Sequence, residues 1–172
     1  VSSTYLGPNE FGHDIYDNKR SEMGQLVYDL KYGFDTSKVQ RIVELLDVFD
    51  GFEKYDLFVP VPQSNKKRPI DPVRLIASAL GAKIGVGVEV DNLASKGTAE
   101  LKGITDPVQR DELLRKALQL TNPAAFHDKS VILIDDLYRS GSTLRMATDL
   151  LYKEGKAKVV SVVTMTKTRS NR

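Results

Sequence analysis

Residues Val131–Thr143 read VILIDDLYRSGST: an apolar run delivers two adjacent carboxylates, Asp135 and Asp136, followed by a short loop and a glycine flanked by hydroxyls. Each part has a chemical use. Gly141 lets the backbone approach an anion closely, and a helix opening behind it offers free N–H groups and a positive dipole end to a phosphate. Ser140, Ser142 and Thr143 add hydroxyl donors around the same group. Consecutive carboxylates at a strand end accept hydrogen bonds from sugar hydroxyls or hold a hydrated Mg²⁺ through its waters. A sugar phosphate fits both halves. The plainer account, in which the acids merely end a strand and Ser-Gly-Ser is a turn, stays open on these residues alone.

Such a segment needs a scaffold, and hydrophobic periodicity supplies one. Val39, Ile42, Val43, Leu46 and Phe49 fall at helical spacing behind Thr36 or Ser37 as N-cap, and a shorter helix precedes them around Gly24–Tyr32. Asp56–Val61 (DLFVPV) is a short run without alternation, which predicts a central parallel strand buried on both faces. Asp71 and Pro72 then open a helix with Leu75, Ile76 and Ala79 on one face and Gly81 as its expected end. A strand is predicted over Lys83–Val90, and Asp91–Thr105 is polar enough for a long loop or weak hairpin. Asp106 and Pro107 repeat the cap-and-proline start, predicting a helix to about Gln119. Ser130–Asp135 is the strongest strand, followed by a helix with Leu144, Ala147, Leu150 and Leu151 inward, closed by Gly155, and by a last strand over Lys158–Met165. Alternating strands and helices of these lengths imply right-handed crossovers and a parallel sheet with helices on both faces. Ligands in such sheets bind beyond the carboxyl ends of strands, which points to Pro62–Arg68 and Asp135–Thr143.

Composition limits the alternatives. The 172 residues suit a single domain, expected as an N-terminal helical segment over 1–50 and an α/β core over 51–172. With 41% hydrophobic and 28% charged residues the chain should fold, and a net charge of +2 gives no bulk attraction to nucleic acid or membrane. The absence of Cys excludes disulfides, thiolate zinc sites and a cysteine nucleophile. His13 and His127 lack a third partner at ligand spacing, so neither is expected in a metal site or in catalysis. Gly85-Val86-Gly87 lies inside a predicted strand, so a dinucleotide fingerprint is not met, and there is no Gly-x-Ser-x-Gly elbow. No run approaches the ~20 apolar residues of a membrane span, and the expectation is a cytoplasmic protein. The chain begins at Val1 rather than Met, which leaves room for residues upstream.

The segment Val131–Thr143 resembles the phosphoribosyl pyrophosphate (PRPP) motif of type I phosphoribosyltransferases. YDLKYG at Tyr28–Gly33, VPVPQSNKKR at Val59–Arg68 and ELKGITDPVQRDELL at Glu100–Leu114 extend the resemblance to the ComF family of that superfamily. It implies a Mg-dependent phosphoribosyltransferase-like protein with the parallel-sheet type I fold. Asp135 and Asp136 would hold the PRPP ribose hydroxyls and, directly or through water, the metal. The backbone and hydroxyls of Arg139, Ser140, Gly141, Ser142 and Thr143 would cradle the 5′-phosphate. Gln63, Ser64, Lys66, Lys67 and Arg68 resemble the pyrophosphate loop. Ser95–Gly103 falls where the superfamily carries a closing loop, so Lys96 or Lys102 would bring a cation to the leaving pyrophosphate; Lys96 joins Asp135 and Asp136 as the expected catalytic set.

The sequence departs from the pattern in three places. These 172 residues hold no cysteine for the zinc module common at the family's N-terminus; Arg139 stands where purine enzymes often carry Asp; and Arg68-Pro69-Ile70-Asp71 replaces an Arg-Gly-Phe-Asn-like run. The acceptor is therefore open, and two functions compete: transfer of phosphoribosyl to a nitrogen acceptor with release of pyrophosphate, or a non-catalytic PRPP or nucleotide sensor in a DNA-uptake or DNA-related process. Lys153, Lys156, Lys158, Lys167, Arg169 and Arg172 make the end of the chain basic, which offers a nucleic-acid contact. A homodimer is the remaining partner expectation.

Overall fold

The computed structural model describes residues 2–8, 10–12, 14–63, 68–95 and 118–168. Its centre is a four-stranded sheet formed by β3 (Leu57–Pro60), β4 (Gly87–Val88), β7 (Ser130–Tyr138) and β8 (Val159–Lys167), in the order β4-β3-β7-β8 and parallel throughout. The central strands are buried on both faces, which is why their sequences are continuous apolar runs. On one face Phe58, Ile132, Ile134 and Met165 pack against α1 (Glu22–Tyr32), α2 (Lys38–Leu46) and α3 (Pro72–Ile84). On the other, Val59, Val61, Val131 and Leu133 meet α4 (Ser142–Lys153). Helices therefore lie on both faces of a parallel sheet, the predicted α/β architecture.

The N-terminal helices belong to the same core, since Val27, Leu30, Ile42, Val43 and Leu46 join the cluster around α3. Ahead of them β1 (Ser2–Pro8) and β2 (Asp14–Lys19) form an antiparallel hairpin, an element the sequence reading did not foresee in the helical segment. Ser21 caps α1 by accepting from Gly24 N at 3.1 Å, and Asp71 caps α3 by accepting from Arg74 N at 3.1 Å.

Several boundaries differ from expectation. α2 stops at Leu46, leaving Phe49 exposed rather than inward. α3 continues past Gly81 to Ile84 and ends on Gly85 in the left-handed region (φ +83°), so β4 shrinks to Gly87–Val88. Gly81 serves packing: a Cβ there would strike Val88 and lie 2.8 Å from Val86 O. Leu118–Leu120 is a strand, β6, paired antiparallel with β5 (Leu93–Ser95), which corrects the helix predicted through Gln119. Alternating burial of Leu118 and Leu120 around Gln119 fits a strand, and the rest of that predicted helix lies outside the described residues.

Candidate functional site

β7 runs three residues beyond the predicted Asp135 boundary, so the two carboxylates lie within the strand rather than at its end. Successive strand residues take opposite faces. Asp135 thus continues the row of Val131 and Leu133 toward the α4 side, and Asp136 continues that of Ile132 and Ile134 toward α1. Asp136 is buried and ion-paired with Lys31 from the last turn of α1, while its backbone carbonyl accepts from Thr166 Oγ1 at 2.6 Å. Asp135 Oδ1 accepts from Asp136 N at 2.8 Å. Burial pushes the Asp135 carboxyl up to about 6, and the Asp136 charge pushes the same way; the Asp136 amide and Lys31 oppose them.

After Tyr138 the chain turns through Arg139 and Ser140 to Gly141, whose left-handed backbone (φ +74°) sets the start of α4. Gly141 is the N-cap residue and makes no side-chain cap; Ser142 N donates to Ser140 Oγ at 3.4 Å, which leaves the Thr143 and Leu144 amides of the first turn for a ligand. A Cβ at Gly141 would lie 2.9 Å from Tyr138 Oη, so a side chain there would have to displace the Tyr138 ring.

These residues line a pocket of about 380 Å³ at the carboxyl edge of the sheet. Asp135, Asp136, Arg139, Ser140, Gly141, Ser142 and Thr143 form one wall, and Gln63 and Arg68 join them from the segment after β3. Gln63 Oε1 is buried without a hydrogen-bond partner among the described residues. Ser64, Lys66, Lys67, Lys96 and Lys102 lie outside the described residues, as do Arg169 and Arg172. His127 ends a 3-10 turn away from the pocket, and His13 is outside the described residues. In the basic C-terminal region Lys153 pairs with Asp149 at 3.0 Å, and Lys167 lies 5.9 Å from the centre of the Tyr138 ring.

Three polar residues of the pocket carry no ligand role in the sequence analysis. Lys31 and Tyr32 enter from α1, and Asp71 faces the pocket while capping α3. The signal for the first two was present in YDLKYG, but helical periodicity alone does not show which end of a helix reaches a distant strand. Arg68 stands 5.7 Å from the Tyr32 ring centre, and Tyr28 and Tyr32 lie 4.9 Å apart, so the α1 rim of the pocket is aromatic. The lining combines the cations Lys31, Arg68 and Arg139 with the acids Asp71, Asp135 and Asp136. A ligand with both anionic groups and hydroxyls suits that pairing better than an apolar one.

The family model described as phosphoribosyl transferase domain matches residues 74–172. Among solved structures, the fold is similar to adenine phosphoribosyltransferase from Thermoanaerobacter pseudethanolicus, 16% identical over 96% of this chain and 95% of that one, with a TM-score of 0.53. Adenine phosphoribosyltransferase from Saccharomyces cerevisiae is 13% identical over 96% and 83% of the two chains, with a TM-score of 0.51. Glutamine phosphoribosylpyrophosphate amidotransferase from B. subtilis is 16% identical over 91% of this chain, with a TM-score of 0.56; the match spans 34% of that chain. A search of curated proteins finds no match.

Proposed function

Because this chain belongs to the phosphoribosyl transferase domain family, whose match covers residues 74–172, we propose that its pocket binds PRPP and transfers the phosphoribosyl group to a nitrogen acceptor. The observation that carries this reading is the meeting, in one pocket, of two β7 carboxylates with the glycine-capped N-terminus of α4. Asp135 and Asp136 accept from the ribose hydroxyls, and the Arg139–Thr143 loop takes the 5′-phosphate on its amides, hydroxyls and guanidinium. Gln63, Ser64, Lys66, Lys67 and Arg68 hold the pyrophosphate, and Lys96 adds a cation beside it. Residues 1–172 act as one unit, with α1 closing the pocket.

A divalent ion suits the donor set. Mg²⁺ retains several waters and takes one or two carboxylates together with substrate phosphate oxygens, so Asp135 and Asp136 with a diphosphate ligand suffice without a dedicated cage. Among the described residues no group of three or more acids or histidines gathers into such a cage. Bound there, Mg²⁺ would neutralise charge on the pyrophosphate.

In the reaction the acceptor nitrogen bonds to C1 of the ribose as the bond from C1 to pyrophosphate oxygen breaks, and the acceptor's proton passes to solvent. The protein contributes alignment and charge stabilisation rather than a nucleophile. The aromatic face of Tyr32 on the pocket rim suits a flat heterocyclic acceptor. Segments Tyr28–Gly33 and Val59–Arg68 favour the ComF branch within the family. Arg139 favours a second reading, a sensor of PRPP or nucleotide without turnover, because a guanidinium cannot take the proton of an acceptor. Pyrophosphate release from PRPP with Mg²⁺, measured across purine and pyrimidine bases, separates the two. Turnover with one base supports transfer; PRPP binding without release from any base supports the sensor.

A further inference from the structure

Adjacent carboxylates, Asp136 buried and Asp135 partly so, repel one another, and the chain supplies a counter-charge from 105 residues away. Lys31 Nζ donates to Asp136 Oδ2, and the two side chains are only 16% and 11% exposed. Neither end of this contact is loosely held. Lys31 follows Leu30, which is fully buried in the core beneath α1, and the Asp136 carbonyl is fixed to β8 by Thr166 Oγ1. A carboxylate offers two oxygens and about four lone-pair directions. Lys31 engages one oxygen and leaves the other for a ligand.

We propose that Lys31 is a positioning residue for this pocket: resting on the ribose-phosphate reading above, it anchors Asp136 through Oδ2 so that Oδ1 meets a ribose hydroxyl in one fixed orientation. The N-terminal helix thereby sets the sugar end of the site, while the Arg139–Thr143 loop sets the phosphate end. A lysine that contacted the anion directly would behave differently, because its loss would weaken every phosphate equally.

Calorimetric titrations of ribose 5-phosphate and of inorganic phosphate test the assignment in wild type, Lys31→Met, Lys31→Arg, Asp136→Asn and the Lys31→Met/Asp136→Asn double variant. Lys31→Met should weaken ribose 5-phosphate about tenfold while inorganic phosphate stays within about twofold, and Lys31→Arg should restore most of the loss. In the Asp136→Asn background Lys31→Met should have no further effect, since the lysine acts through that carboxylate. The double variant also removes both charges together, so it guards against a single variant that leaves a buried charge unpaired and fails to fold. Equal losses for both ligands, or additive losses in the double variant, would overturn the positioning role. So would an unchanged ribose 5-phosphate affinity in a folded Lys31→Met. A wild-type protein that binds neither ligand overturns the ribose-phosphate reading itself, and the Lys31 role with it.

Discussion

Asp135 occupies a poor position for a negative charge. Burial first, and then the neighbouring Asp136 carboxylate, raise its pKa from the ordinary 3.8 to about 6. A folded-state value above the unfolded one makes a contribution that is full below about pH 4 and is lost as the pH rises through about 6. At neutral pH the ionised side chain therefore costs stability, by at most about 3 kcal/mol for a shift of this size. Asp135→Asn should melt higher than wild type at pH 7.5, with the gain vanishing near pH 4; melting curves at the two pH values check this, and an equal fall at both contradicts it. Such a cost at a ligand-facing carboxylate is a common exchange of stability for function. The ligand side has the matching sign: ribose 5-phosphate should bind more tightly as the pH rises through 6 and Asp135 ionises. Because phosphate itself titrates near 6, the relevant quantity is the part of that pH dependence that disappears in Asp135→Asn.

Two glycines place the elements around the pocket. Gly141 combines φ +74° with a Tyr138 ring that a Cβ would meet at 2.9 to 3.1 Å. Gly141→Ala should therefore displace the loop and weaken inorganic phosphate at least about tenfold, through strain of roughly 1–2 kcal/mol plus the contact. Adding Tyr138→Ala should recover only the contact's share, as paired phosphate titrations would show. Gly81 lets α3 lie against β4, and Gly81→Ala should lower the stability measured by denaturant titration by about 1–3 kcal/mol. The sequence showed Gly81 as a helix end because glycine often marks one, whereas the close approach of β4 is a tertiary fact. The same division runs through the fold. The strands expected over Asp56–Val61 and Ser130–Asp135 and the capped start at Asp71 were legible, since periodicity and capping are local, although the second strand runs on to Tyr138. The strand at Leu118–Leu120 was not, because its partner Leu93–Ser95 lies far back in the chain. In the site, the Asp135–Thr143 segment is contiguous and legible, while Lys31 and Tyr32 reach it only through the packing of α1.

At the scale of the whole molecule, the pocket draws on separated parts of the chain: the end of α1, residues 61–63 and 68–73, and the turn from Asp135 to Leu144. A ligand that touches all of them joins the N-terminal helices to the sheet, so its binding should stabilise the protein as a unit. Hydrogen exchange should slow in α1 as well as in the Arg139–Thr143 loop when PRPP and Mg²⁺ are added; protection confined to the loop would contradict closure of the pocket by α1. The most direct test of the central claim is a calorimetric titration of wild-type protein with PRPP in the presence of Mg²⁺. The account predicts saturable binding of one PRPP per chain, competed by ribose 5-phosphate and weakened at least about tenfold in Asp136→Asn by loss of a charge-assisted acceptor. Absence of binding at millimolar PRPP, or equal affinity in Asp136→Asn, would contradict it.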